Sequence, residues 1–272
     1  EDAAIVSKYL FGFDPLDSTS EQCPIDDYSA LLEDVQLKGK NIAVPKQLMD
    51  DRIDTAVKES VNQALLFYEE QGCNVEMIDF PYFDEALATY YILAPAEASS
   101  NLERYDGVRY GFRDQEQSSL REMIKSTRGK GFGNEVKRRI ILGTYVLSSG
   151  YYDAYYLKAQ QVRGRIIRAF EDIFEKYDMI VSPTAPTTAF KKGSLLDRPL
   201  QMYMSDIATI PVNLAGLPAV SIPCGFDSNS LPIGCQFIAP WFKEKELFQY
   251  THAYQQAHDF HMQMPELAME TA

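Results

Sequence analysis

The segment between Asn41 and Phe80 constrains the fold more than any other part of the sequence. It contains two short apolar runs, Asn41 to Val44 and Val75 to Phe80, each followed directly by proline. Between them, Asp54 to Glu70 carries apolar residues at helical spacing, and Gly72 lies beyond its end. This order of strand, helix and strand is typical of a parallel unit whose helix covers a sheet. The apolar stripe of the helix comprises Val57, Val61, Ala64, Leu65 and Tyr68.

The remaining elements extend this pattern into an α/β fold. We predict a mixed, largely parallel sheet flanked by helices. Asp84 to about Lys176 is predicted to be mostly helical, with a polar break at Thr127 to Gly131. Shorter helices are expected at Ala4 to Leu10 and Glu244 to His258, and buried strands at Met179 to Val181, Ala219 to Ile222 and Cys235 to Ile238.

Composition excludes several classes of protein. The 272 residues are 46% hydrophobic, which is enough for a sizeable core. The chain has 26 basic and 39 acidic residues, and its net charge of −13 repels nucleic acid and anionic lipid. The four cysteines have no Cys-x-x-Cys spacing, which favours reduced thiols and a cytoplasmic location. No apolar run approaches the roughly 20 residues of a membrane helix, so no membrane association is expected.

Two local clusters resemble catalytic sites only superficially. His252, His258 and His261 lie close together, but they lack a second cluster of carboxylate and histidine ligands. We therefore expect a solvated helix end and no metal site. Ser148 to Gly150 is the nearest approach to a nucleophile elbow, yet its helical surroundings predict hydroxyls that bond back to the helix.

Several long strings point to a specific family. They resemble the amidase-signature family and, within it, the A subunits of glutamyl-tRNA(Gln) amidotransferases. The resemblance extends in order from Glu1 to the region of Asp259 to His261. Its strings are Tyr90 to Leu102, Arg104 to Gly111, Glu135 to Thr144, Leu147 to Tyr156, Ser182 to Pro186 and Ile210 to Pro218.

The resemblance also implies what this chain lacks. Catalysis in the family depends on a serine nucleophile, a second serine and a lysine, all in an N-terminal part with a glycine- and serine-rich signature. That signature does not occur here, and the chain begins without methionine, as a piece of a longer chain would. We therefore expect residues 1–272 to be the C-terminal part of a single amidase-signature domain. Without a nucleophile and an oxyanion site, the isolated chain is predicted to be inactive.

Three residues are implied to bind glutamine. A free amino acid needs a cation for its carboxylate and an anion for its ammonium group. By resemblance, Arg139 takes the carboxylate, Asp206 the ammonium group, and Tyr90 adds a phenolic hydroxyl. Composition alone would make Arg139 part of a solvated helix face and Tyr90 part of a core. Arg138 is the alternative to Arg139.

The family's reaction releases ammonia from glutamine and uses it to convert Glu-tRNA(Gln) to Gln-tRNA(Gln). The resemblance implies a heterotrimer in which the B subunit holds the tRNA and uses ATP and magnesium, while the C subunit bridges the other two. No cofactor is expected on this chain, and its charge suits only indirect contact with tRNA. Two alternatives remain: a fragment of a free-standing hydrolytic amidase of the same family, and a non-catalytic chain that binds glutamine or partner subunits.

Overall fold

The computed structural model of the protein describes residues 1–195 and 198–265. The helices are α1 (Asp2–Leu10), α2 (Thr55–Glu70), α3 (Phe83–Leu102), α4 (Leu120–Gly131), α5 (Asn134–Val146), α6 (Lys158–Phe174), α7 (Pro199–Met204), α8 (Ile210–Ala215) and α9 (Glu244–Ala257). The strands are β1 (Asn41–Pro45), β2 (Asn74–Ile78), β3 (Met179–Pro183), β4 (Ala219–Phe226) and β5 (Pro232–Ile238). The chain divides into two compact units. We call residues 1–83 and the described residues between 166 and 265 the sheet unit, and residues 84–165 the helical unit.

The sheet unit contains a mixed sheet in the order β2-β1-β3-β5-β4. β1 pairs in parallel with both β2 and β3, which confirms the parallel unit predicted between Asn41 and Phe80. β5 lies antiparallel to β3 and to β4. The α/β class and the mixed sheet are therefore as predicted, with two parallel and two antiparallel pairings.

Helix α2 anchors the core of the sheet unit. All five apolar residues of its predicted stripe are buried. Tyr68 is the largest of them, and its ring lies 5.6 Å from that of Phe237 in β5. The Tyr68 hydroxyl donates a 2.9 Å hydrogen bond to the backbone carbonyl of Tyr250 in α9. This bond satisfies a buried phenol and ties two helices together.

The helical unit is built from α3, α4, α5 and the start of α6, with a π-helical turn at Tyr152–Leu157. Residues 103–119 form a long connection that is fastened to α4. Arg128 donates to the backbone carbonyls of Leu102, Glu103 and Tyr105. The buried Asp114 accepts hydrogen bonds from Ser126, Lys130 and Gln117 and from the backbone N–H of Glu116. These bonds, above all that from Lys130, lower the pKa of Asp114 well below its usual value.

The predicted break at Thr127 to Gly131 is wrong, because α4 continues to Gly131. Ser119 caps the start of this helix by accepting from the Glu122 N–H, and Thr127 is buried against the connection. Tertiary contacts therefore stabilise a segment whose glycines suggested a loop.

The prediction of a buried strand at Ala219 to Ile222 is only partly correct. β4 lies at an edge of the sheet, and Ala219 and Ser221 are exposed.

Within the described residues, no helix is both long and apolar enough to span a membrane.

Candidate functional site

Two of the three predicted site residues meet between α3 and α5. α3 carries Tyr90, and α5 carries Arg139. The helices come close because Gly143 of α5 has no side chain: a Cβ atom there would lie 1.9 Å from the Pro95 carbonyl oxygen of α3. This close approach brings the neighbouring residues of both helices within contact distance.

The Arg139 side chain is held by two partners. Its Nε donates to Oε1 of Glu135, one turn earlier in α5, at 3.1 Å. The phenol of Tyr90 also interacts with the guanidinium. Partial burial lowers the pKa of Arg139, but the hydrogen bonds to Glu135 and Tyr90 outweigh it, so the pKa is raised. The guanidinium is therefore a fixed positive charge.

Arg138 has a different environment. Its side chain is 63% exposed, against 37% for Arg139, and its Nη1 donates to Oε2 of Glu135 at 2.9 Å. Arg138 thus has the solvated position that composition suggested for the whole Lys137 to Arg139 segment. Arg139 differs because it turns toward α3 and contacts a residue about 50 positions earlier.

Asp206 belongs to the sheet unit and lies in the turn between α7 and α8. Its backbone carbonyl accepts hydrogen bonds from the N–H groups of Thr209 and Ile210, which fixes the turn that precedes α8. Its side chain is exposed, and no described residue bonds to its carboxylate. The carboxylate is therefore available to a cationic ligand.

Gln236 supports this turn and was not predicted from the sequence. Its side chain is only 4% exposed, and Nε2 donates to the Ala208 carbonyl and to Ser182 Oγ, each at 3.2 Å. Its position inside the apolar run Cys235 to Ile238 could have indicated a structural role, since a buried amide needs hydrogen-bond partners. It connects β5 to the turn that carries Asp206.

A cavity of about 270 Å³ lies beside the same turn, at the end of β3. Its polar lining consists mainly of hydroxyl groups, and Thr184 Oγ1 and Ser221 Oγ are 2.6 Å apart. Ser205, the residue before Asp206, also lines it. The lining hydroxyls are those of Thr184, Thr187, Thr188, Ser205 and Ser221.

A larger cleft of about 800 Å³ lies elsewhere in the sheet unit. It is lined by parts of residues 10–28, by Gly216 to Pro218 and by Trp241 to Glu246. None of the three predicted site residues contributes to it. Volume alone would favour this cleft, and its lining includes charges of both signs, among them Lys243 and Lys245 beside Glu21 and Asp26. The resemblance assigns none of these residues to glutamine.

The prediction of a solvated histidine cluster is wrong for His252. Its side chain is buried, and Nε2 lies 3.1 Å from Oε1 of Glu33 and 3.3 Å from Nε2 of Gln256. His252 thus tethers α9 to the segment before β1. The prediction for Ser148 is confirmed, since its hydroxyl donates back to the Tyr145 carbonyl at 2.7 Å.

Comparison with known proteins identifies the family. A family model described as amidase matches residues 1–248. The chain belongs to the amidase family. Its sequence relatives include the A subunit of the glutamyl-tRNA(Gln) amidotransferase of Microcystis aeruginosa, 54% identical over 265 residues. That of Halalkalibacterium halodurans is 53% identical over 268 residues.

The amidase-family relatives are much longer than this chain. The two alignments cover 97% and 98% of the chain but only 54% and 55% of the relatives. The chain therefore spans about half the length of the curated relatives that it matches.

Solved structures agree with the amidase-family assignment. The A subunit of the Thermotoga maritima glutamyl-tRNA(Gln) amidotransferase matches with a TM-score of 0.67 and 38% identity, covering 88% of this chain and 46% of that one. A bacterial aryl acylamidase of the amidase-signature family matches with a TM-score of 0.71 over 96% of this chain and 52% of that one. At 18% identity, the second match shows the shared fold alone.

Proposed function

We propose that this chain is the glutamine-recognising part of the A subunit of a glutamyl-tRNA(Gln) amidotransferase. The observation that carries the proposal is the contact between Tyr90 and Arg139, which come from separate helices. The relatives that share half of this sequence carry the name of that subunit, which supports the choice of substrate.

Recognition follows from the charges of a free amino acid. Arg139 binds the α-carboxylate of glutamine, and the Tyr90 hydroxyl lies beside it and orders the guanidinium. Asp206 binds the α-ammonium group with its unpaired carboxylate. A neutral amide substrate would need neither charge, so this pair distinguishes glutamine from the simple amides of other amidases.

The chemical step takes place on groups outside this chain. We propose that the serine nucleophile, its activating serine and lysine, and the oxyanion site belong to the part of the relatives that this chain does not span. The glutamine amide is attacked there, a glutamyl-enzyme forms, and ammonia leaves. The isolated chain should therefore show no glutaminase turnover above background, and turnover that a serine-directed reagent abolishes would contradict this.

Partner subunits complete the reaction in this proposal. A chain with net charge −13 is a poor ligand for tRNA, so the B subunit holds the tRNA and uses ATP and magnesium to activate its glutamate. The C subunit bridges the other two. In this proposal the assembled enzyme acts in the cytoplasm.

Replacing Arg139 by alanine in the full-length protein tests the recognition step. Loss of a charged hydrogen bond should raise KM for glutamine at least about tenfold. Arg121→Ala is the matched control, because Arg121 is an exposed arginine of the same unit and bonds to no described residue. If Arg139→Ala and Arg121→Ala have the same KM, the assignment of the carboxylate site is wrong.

A further inference from the structure

One carboxylate holds the two neighbouring arginines in different ways. Glu135 lies in the first turn of α5. Arg138 follows it by three residues and Arg139 by four, so both lie about one helical turn away. Glu135 Oε1 accepts from Arg139 Nε, and its Oε2 accepts from Arg138 Nη1. The two arginines therefore present different parts of their guanidinium groups to a ligand.

We infer that Glu135 is a positioning residue that makes Arg139 the carboxylate ligand and orients its guanidinium for end-on binding. This inference rests on the proposed recognition of glutamine. End-on binding of a carboxylate uses the two terminal amino groups of an arginine. The contact between Glu135 and Arg139 runs through Nε and uses neither, whereas the contact with Arg138 occupies a terminal nitrogen.

The charge of Glu135 acts in the opposite direction, because it repels the carboxylate of the substrate. Its side chain is 47% exposed, so water screens this repulsion. Positioning and repulsion can be separated by substitution. Glu135→Gln keeps an oxygen that accepts from Arg139 Nε and removes the charge, while Glu135→Ala removes both.

The experiment uses the full-length protein in its assembled enzyme. KM for glutamine is compared with the inhibition constant of 4-aminobutanamide, which is glutamine without its carboxylate. Glu135→Ala should raise KM for glutamine about three- to fivefold, the upper part of the range that exposed ion pairs contribute, with kcat nearly unchanged. The inhibition constant of 4-aminobutanamide should not change, because this compound has no group for Arg139 to bind.

Glu135→Gln should keep KM for glutamine at or below the wild-type value. An effect of charge alone would instead make the glutamine and alanine variants behave alike, and that result would overturn the inference. Glu122→Ala is the control for a lost first-turn carboxylate, since Glu122 lies in the first turn of α4 and its side chain bonds to no described residue. It should leave both constants unchanged.

Arg139→Ala separates the two levels of the hypothesis. If Arg139→Ala leaves the preference for glutamine over 4-aminobutanamide intact, the proposed function fails. If it abolishes that preference while Glu135→Ala leaves the preference at its wild-type value, only the role of Glu135 fails. In the double variant, loss of Glu135 should add nothing to the loss of Arg139. Additive losses would indicate that Glu135 contributes only to the stability of α5.

Discussion

Gly143→Ala is expected to separate the helices that carry Tyr90 and Arg139. The added Cβ would lie 1.9 Å from the Pro95 carbonyl oxygen, 2.5 Å from the Pro95 carbonyl carbon and 2.8 Å from the Ser99 Cβ. Two of these atoms are backbone, so no rotamer change relieves the clash. Since ordinary contacts are about 3.5 Å or longer, α3 and α5 must move apart by about 1.5 Å.

Two opposing effects determine how much the free energy of unfolding changes in Gly143→Ala. Overpacking a close contact costs typically about 1–3 kcal/mol, and sometimes more. Alanine is better than glycine in a helix interior by about 1 kcal/mol. Because the clash is with backbone atoms, the overpacking cost should lie near the upper end of its range, and the free energy of unfolding should fall by a net amount of about 2 kcal/mol. KM for glutamine should rise as well, because Arg139 moves away from Tyr90.

Denaturant unfolding measures the change, with Gly129→Ala as the matched control. Gly129 lies in α4, and a Cβ atom there would meet nothing within 4 Å. The same substitution should therefore stabilise the protein by up to about 1 kcal/mol at this position. A Gly143→Ala variant as stable as the wild type, or as Gly129→Ala, would refute the close approach of α3 to α5.

Two further predictions concern buried polar groups. Tyr68→Phe should lower the free energy of unfolding by about 1 kcal/mol, because it removes a buried hydrogen bond. Tyr250→Phe should be neutral or stabilising, since the Tyr250 hydroxyl is buried and bonds to no described residue; equal losses in denaturant midpoint for the two variants would contradict this. The lowered pKa of Asp114 means that its ionised form stabilises the fold above the unfolded pKa of about 3.9, and that this contribution is lost as pH falls through the folded value. Urea midpoints between pH 3 and 7 should therefore depend less on pH in Asp114→Asn than in the wild type, and identical profiles would contradict the role of Lys130 and its neighbours.

Much of the sheet unit is predictable because its local and tertiary signals agree. The stripe of α2, Pro45 at the end of β1, Pro81 after β2 and the apolar run of β3 each favour the structure observed. The predictions fail where contacts between residues distant in the sequence determine the structure. The segment from Thr127 to Gly131 is helical because Thr127 packs on a connection that periodicity does not reveal. The buried side chain of His252 pairs with Glu33, which lies more than 200 residues earlier in the sequence.

The candidate site was predictable only in part. Its three residues were predicted only from the family resemblance. Composition alone predicts that an arginine following Lys137 and Arg138 lies on a solvated helix face. The contact between Arg139 and Tyr90 depends on Gly143 packing against Pro95, a pairing between helices that no local pattern indicates. The support of the Asp206 turn by Gln236 depends on the sheet, and a single polar residue in a strand does not identify its partner.

The most direct measurement compares the affinity of the full-length protein for three ligands: glutamine, 4-aminobutanamide and glutaramate, which is glutamine without its ammonium group. Arg139→Ala should abolish the preference for glutamine over 4-aminobutanamide and retain that over glutaramate. Asp206→Asn should have the reverse effect. If both variants retain both preferences, these two side chains do not bind the charged ends of the amino acid.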